Sequence, residues 1–281
     1  MLLEIGSLTT ASPKAASDAL SAFLERHPRL FVLTGAGIST GSGIPDYRDA
    51  EGEWKRPPPV RFHDFIHQPR TRRRYWARSL VGWPWFAAAK PNECHAALAA
   101  WEKQGRIAHL VTQNVDRLHQ RAGSRGVTDL HGRLDNVICL DCGEHFSRES
   151  VQDWLVGKNP GYMDLKARVG PDGDAALVDR VRDDFRVPVC DACGGMLKPD
   201  VVFFGETVPR ERVESTVGAL HQADALLVIG SSLMVYSGFR YCRIAAEHGI
   251  PIASVNPGRT RADGLLTIRV NARFEDVLAG L

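Results

Sequence analysis

Phe31-Val32-Leu33-Thr34-Gly35-Ala36-Gly37-Ile38-Ser39 is an apolar run closed by two glycines, the pattern of a buried strand that turns directly into a helix. Glycines at such a turn let the backbone approach a pyrophosphate closely, and the free N–H groups of the following helix attract its charge. Taken alone, the stretch fits equally a tight strand-to-helix turn with no ligand. It departs from the fingerprint of hydride-transfer enzymes: Thr40 stands at the third glycine position, and the acidic Glu51 and Glu53 do not end a recognisable second strand. Hydride transfer is therefore disfavoured.

Outward from this stretch, short apolar runs recur at 30–33, 107–112, 225–229, 250–255 and 266–270, with the character of buried parallel strands. Segments 208–223 and 238–248 between them are long enough for helices, so the alternation predicts an α/β fold with an open, doubly wound parallel sheet. Such sheets bind ligands at the carboxyl ends of their strands. Those ends carry Gly35-Ala36-Gly37, Gln113-Asn114-Val115-Asp116, Gly230-Ser231-Ser232 and Asn256-Pro257-Gly258, four polar turns converging on one edge. From Asp46 to about Gly105 the chain is rich in Arg and Trp, shows no strand, and reads as a mostly helical insertion.

Two CxxC pairs, Cys139/Cys142 and Cys190/Cys193, can each place two thiolates on one metal, and both are followed by glycine at Gly143 and Gly194. A tetrahedral site of four cysteines leaves no position for water, so one zinc ion here would be structural and hold a module too small to bury much core of its own. The 47 residues between the pairs exceed a simple ribbon, and the excess reads as an inserted loop. Cys94 and Cys242 lie in helical contexts and read as core residues.

The 281 residues are 44% hydrophobic and 24% charged, ordinary values for a globular chain with one large domain and a smaller module. A net charge of +2 is too small for binding nucleic acid or a membrane surface non-specifically. No apolar run approaches the ~18 residues of a membrane span. Before Arg26 the only basic residue is Lys14, against the acidic Glu4 and Asp18, which opposes an organelle transit peptide; a cytoplasmic address is expected.

Gly43-Ile44-Pro45-Asp46-Tyr47-Arg48 sets a carboxylate, an aromatic ring and a guanidinium within three residues just after the glycine turn. Together with Gly35-Ala36-Gly37-Ile38-Ser39, Thr112-Gln113-Asn114-Val115-Asp116, Leu130-His131-Gly132, the two CxxC pairs, Phe204-Gly205-Glu206 and Gly230-Ser231-Ser232, it appears in the order seen in sirtuins. The chain thus resembles the NAD-dependent protein lysine deacylases from about Leu30 to Phe274, and within them class II, the group containing the mitochondrial sirtuin described as an ADP-ribosyltransferase, lipoamidase and deacylase. Tyr75-Trp76-Ala77-Arg78, Val81-Gly82-Trp83-Pro84, Pro171-Asp172-Gly173-Asp174 and the run from Leu197 through Val202 to Glu206 carry the class II likeness. Gly41 departs from it, where many relatives carry Glu.

The resemblance implies a Rossmann-like NAD-binding domain assembled from 1–45, 106–135 and 199–281, a helical insertion at 46–105 and a zinc module at 136–198. It implies that NAD is consumed as co-substrate: the amide oxygen of an acyl-lysine protein or peptide displaces nicotinamide, and the acyl group ends on ADP-ribose. Asn114 would order the ribose and a water, Asp116 and Ile44 the nicotinamide carboxamide, and Asp46 and Arg48 the ribose-phosphate, with Tyr47 shielding the reactive carbon. Helix capping is an alternative role for Asn114 and Asp116. A free imidazole titrates near neutral pH, and the resemblance implies that His131 would act as general base on a ribose hydroxyl.

By the same likeness Gly35, Ala36, Gly37, Ser39, Gln113, Val115, Gly230, Ser231 and Ser232 would cradle NAD, with Asn256, Gly258 and Phe274 on the adenosine side. Val202, Phe204, Gly205 and Glu206 would face Leu233 and Val235 across a peptide added as a strand. Tyr75 and Arg78, three apart on a helix, would hold the carboxylate of an acidic acyl chain; an ordinary solvated helix face is the alternative. The insert at 172–174 could reach the acyl tunnel instead. Mono-ADP-ribosyl transfer, lipoyl-type amidase activity and a weakly catalytic NAD-binding module remain the competing functions.

Overall fold

Alternation along β2 (Leu30–Thr34) sends Leu30 and Val32 to one side and Phe31 and Leu33 to the other, and all are fully buried. A strand buried on both faces belongs in the middle of a covered parallel sheet. The computed structural model, which describes residues 8–9, 13–165, 170–173, 181 and 183–278, puts it there. With β1 (Leu8–Thr9), β3 (Ile107–Thr112), β4 (Val127–Asp129), β8 (Ala225–Ile229), β9 (Ile252–Val255) and β10 (Ile268–Val270), it forms a seven-stranded sheet in the order β1-β10-β9-β8-β2-β3-β4. Every pairing in this sheet is parallel. Glu4 and Asp174, both named above, lie outside the described residues.

One face of the sheet is covered by α1 (Pro13–Arg26), α4 (Glu93–Lys103) and α9 (Phe274–Leu278), through Phe23, Leu98, Trp101 and Val277. The other face is covered by α7 (Arg210–Leu220) and α8 (Tyr236–Glu247), through Leu220, Tyr241, Cys242 and Ala245. The sequence division placed α4 in the helical insertion, but its buried Cys94, Leu98 and Trp101 belong to the core beneath β2. A periodic apolar stripe shows that a helix packs, not which surface receives it. Cys94 and Cys242 are core residues, and burial pushes both thiols up to about 12.

Residues 46–61 are mostly irregular and run along the carboxyl edge of the sheet, apart from an isolated bridge of Arg48 with Trp54 and one of Arg61 with Phe204. Then α2 (Phe62–His67) and α3 (Pro69–Ala88) leave the sheet and share one core with the cysteine module. That module holds an antiparallel sheet ordered β6-β5-β7, made of β5 (Gly132–Cys139), β6 (His145–Ser147) and β7 (Leu197–Val201). The stretch between the CxxC pairs is more than a loop, since Ser147 caps α6 (Arg148–Lys158) by accepting from Ser150 N–H at 3.0 Å.

Arg148 of α6 is 1% exposed and donates to the Ser79 carbonyl at 3.1 Å, Ser79 Oγ at 3.0 Å and Gln152 Oε1 at 2.8 Å. Its guanidinium lies 5.8 and 4.9 Å from the ring centroids of Trp76 and Trp83, so α3 and α6 are clamped by a buried cation held by polar groups and aromatic faces. Among the described residues no helix is long and apolar enough to cross a membrane.

Candidate active site

The carboxyl ends of β9, β8, β2 and β3 are neighbours, so the four polar turns meet as their positions in the sequence require. Backbone contact sets their spacing. Gly37 N–H donates to the Gly230 carbonyl at 2.8 Å, and Gly35 N–H to the Ile229 carbonyl at 3.0 Å. A Cβ on Gly37 would lie 2.8 Å from Gly230 Cα, and one on Gly230, where φ is +61°, would lie 2.5 Å from Ile38 N. Only glycine permits this approach, and the residues after it form a 3-10 turn over Ala36–Ser42, not the α-helix start that the apolar run suggested.

Side chains complete the lock. Asn114 donates to the Gly35 carbonyl at 3.1 Å and Ser39 Oγ at 3.0 Å, and Ser39 donates to Asp116 at 2.7 Å. The other Asp116 oxygen accepts from Leu118 N–H at 2.9 Å, at the start of the short helix α5 (Leu118–Arg121). Asp116 therefore ties the start of α5 to the glycine turn, although the N-cap residue of that helix is Arg117. Burial raises its carboxyl above the usual range, and the bonds from Leu118 and Ser39 oppose that rise. Gln113 donates to Ser231 Oγ at 2.8 Å, tying the β3 turn to the β8 turn.

These turns open into a cavity of about 670 Å³. Every residue expected to bind NAD, act as base or line the substrate groove borders it, with two exceptions, Gly258 and Arg78. Gly258 acts from behind the wall: at φ +92° it lies so close to Ala50 that a Cβ would meet that carbonyl oxygen at 2.4 Å, while Arg259 N–H donates to the same oxygen at 2.7 Å. It thereby fixes the loop that carries Asp46, Tyr47 and Arg48. In that loop Asp46 accepts from Lys55 at 2.6 Å, and Arg48 donates to the Gly52 carbonyl and lies 3.9 Å over the Trp54 ring. Phe274 touches the cavity but is 3% exposed and packs edge-on against Trp101.

Tyr75 borders the cavity from within an aromatic cluster of Phe65, Trp76 and Phe203, with ring centroids 5.2–5.6 Å apart. Arg78, one helical turn on, is half-buried elsewhere, so the pair does not face the cavity together. Pro171 and Asp172 of the long insert do reach the wall, and the adjoining Gly173 packs against Leu134. Across the groove, Glu206 is fixed by Lys198 at 3.1 Å and by Phe203 N–H at 2.8 Å, and buried Leu233 adopts φ +58°, a left-handed conformation unusual outside glycine.

His131 lies at the cavity floor, immediately after the short extended segment that forms β4. Its Nδ1 is 2.9 Å from the Gln113 carbonyl, which can only accept, so Nδ1 carries the proton and Nε2 the lone pair. Burial pushes its pKa down to about 4; the Gln113 bond opposes this, while the charges of Arg212 and Arg240 add to it. The imidazole is thus a neutral, correctly oriented proton acceptor at physiological pH. Its Nε2 lies 2.7 Å from Ser237 Oγ, a partner that sequence reasoning missed. Arg240, also on α8, borders the cavity and was missed as well.

The cysteine cluster stands apart in the small domain. All four Sγ atoms lie within 4.8 Å of one another, with Cys139–Cys193 at 3.6 Å and Cys142–Cys190 at 3.7 Å. Tetrahedral zinc with Zn–S bonds of ~2.3 Å needs sulfurs about 3.8 Å apart, so the four thiols fit one closed, structural ion.

The Sir2 family model matches residues 35–237. An NAD-dependent protein deacetylase of Xanthomonas campestris pv. campestris is 60% identical over 263 residues, covering 94% of this chain and 90% of its own length. The human NAD-dependent protein lipoamidase sirtuin-4, mitochondrial, is 46% identical over 280 residues, covering 98% and 89%. Among solved structures, the Sir2 complex with p53 peptide and NAD+ superposes with a TM-score of 0.71 at 30% identity, covering 93% and 94%. The chain belongs to the Sir2 family.

Proposed function

We propose that the protein is an NAD-dependent protein lysine deacylase in which His131 is the general base. The observation that carries this reading is the His131 imidazole bordering the cavity into which the glycine turns open, with Nδ1 held on the Gln113 carbonyl and Nε2 left to accept. Nicotinamide loss leaves positive charge on the ribose, to be met by the amide oxygen of an acyl-lysine. Asn114, held by Gly35 and Ser39, would keep the sugar in place, and Asp116 with Ile44 would hold the carboxamide end. His131 would then take a ribose hydroxyl proton on Nε2, so that the oxygen can attack the acyl carbon. Tyr47 and the loop behind it would keep water from that carbon.

The acyl end favours a neutral or apolar chain over an acidic one. Tyr75 borders the cavity among the rings of Phe65, Trp76 and Phe203, a surface that suits an apolar chain. Likeness to the human lipoamidase supports lipoyl-type amides as a second substrate class for the same site. The zinc ion would take no part in the chemistry, and four thiolate ligands suit the reducing cytoplasm as its compartment.

The test is nicotinamide release on lysine peptides carrying acetyl, longer aliphatic, lipoyl and glutaryl groups. Release matched by acyl loss, lowest for glutaryl, is expected. NAD binding without turnover on any peptide would overturn the deacylase reading, and ADP-ribose attached to protein would favour mono-ADP-ribosyl transfer.

A further inference from the structure

Ser237 stands 106 residues from His131 in sequence, yet its Oγ lies 2.7 Å from Nε2, the nitrogen that must receive the proton. Because Nδ1–H is committed to the Gln113 carbonyl, Nε2 of the neutral ring can only accept, and Ser237 must donate its O–H. The contact is built into the fold. Ser237 is in the first turn of α8, where Gly238 is packed so closely on the Gln113 side chain that a Cβ would meet Gln113 Oε1 at 2.5 Å. Glycine at 238 lets the helix start press against the same turn whose carbonyl orients the imidazole. Ser237 itself borders the cavity.

We infer that Ser237 is a positioning residue of the acyl-transfer step, an inference that rests on His131 being the base. In the resting enzyme its hydroxyl occupies the single Nε2 lone pair, and its O–H turns away from that nitrogen as the ribose hydroxyl arrives to take its place. When the ribose oxygen gives its proton to Nε2 and leaves as nucleophile, the new Nε2–H needs an acceptor in a site flanked by Arg212 and Arg240. A serine hydroxyl can reverse its role by rotating about Cβ–Oγ. Ser237 Oγ then accepts from the imidazolium through a charge-assisted bond stronger than the neutral bond it replaces. The proton stays on His131 throughout this exchange, and Ser237 neither gains nor loses one.

Nicotinamide loss precedes any use of the base, so exchange of labelled nicotinamide into NAD in the presence of acyl-peptide reads the first step, and deacylated peptide reads the second. Ser237→Ala is expected to lower deacylation about ten- to hundredfold more than it lowers exchange, the range for losing one hydrogen bond to a charged group. Ser237→Thr, which keeps the hydroxyl, is expected to recover deacylation to within about threefold of the wild type. Equal losses in both steps, no loss in either, or failure of the threonine variant with exchange intact would each overturn the inference. His131→Ala separates the two levels. If it deacylates normally, the base assignment itself falls; if it abolishes deacylation while Ser237→Ala leaves deacylation unchanged, only the role of Ser237 falls.

Discussion

At the edge of the parallel sheet, backbone is set against backbone: Gly37 on Gly230 and Gly258 on Ala50 leave no room for a Cβ, and the side chains that line the cavity hang from turns fixed in this way. In the small domain the holding is done by side chains, through four thiols placed to bind one metal and Arg148 among Ser79, Gln152 and two tryptophans. The first arrangement needs the large apolar core on both faces of the sheet to hold it. The second replaces such a core with a few strong contacts, as small modules must. The residues proposed above to carry the chemistry line the sheet edge, and Tyr75, Asp172 and Val201 supply another wall of the same cavity.

The difference can be broken most severely at the metal. A strong chelator, or Cys190→Ser, should unfold the small domain, since structural zinc stabilises isolated modules by on the order of 10 kcal/mol. Hydrogen exchange should then show protection lost in β5 and β7 and retained in β8; protection lost equally in both would mean that the two regions are one cooperative unit.

Arg148→Ala should cost about 3–4 kcal/mol in denaturant unfolding, because it strands the Ser79 and Gln152 acceptors and empties the space between Trp76 and Trp83. A loss below ~1 kcal/mol would show that the clamp contributes little beyond packing.

Gly230→Ala acts on the other region. It should weaken NAD binding about 100-fold by calorimetry, because both its φ of +61° and its contact with Ile38 forbid a Cβ. Unchanged affinity would refute the backbone lock.

The smallest effect is the response to acid. His95 is fully buried and its pKa is pushed down to about 4 by burial, and His119, ring to ring with it at 4.8 Å, is lowered for the same reason. The unfolded chain binds these protons near pH 6.5 and the native protein does not, so stability is full above pH 6.5 and falls as the pH drops toward 4. His95 alone should account for no more than about 2–3 kcal/mol of that fall. A midpoint of thermal unfolding unchanged between pH 7 and 5 would contradict the burial of the pair.

The glycine turns and the CxxC pairs were legible in the sequence because each works through a property that one residue type alone possesses, an absent Cβ or a thiolate. Strands such as 225–229 were legible because burial on both faces leaves an unbroken apolar run. What stayed hidden depends on which surface meets which. Leu98 and Trp101 mark a buried helix face without naming the sheet as its partner, and α6 within the long insert shows its purpose only once Arg148 reaches Ser79. Ser237 has an ordinary neighbourhood in sequence and gains its meaning from a helix start docked on Gln113. Tyr75 and Arg78 share a spacing that fits a carboxylate, yet the packing of α3 turns only Tyr75 toward the cavity.

The central claim, that the acyl group is carried to ADP-ribose by an enzyme whose base is His131, is tested most directly by product mass in a single turnover with an acyl-lysine peptide. The expected result is one acyl-ADP-ribose and one nicotinamide for each lysine freed, with no acyl-ADP-ribose formed by His131→Ala. Free carboxylic acid released without consumption of NAD, or undiminished acyl-ADP-ribose from the alanine variant, would contradict it.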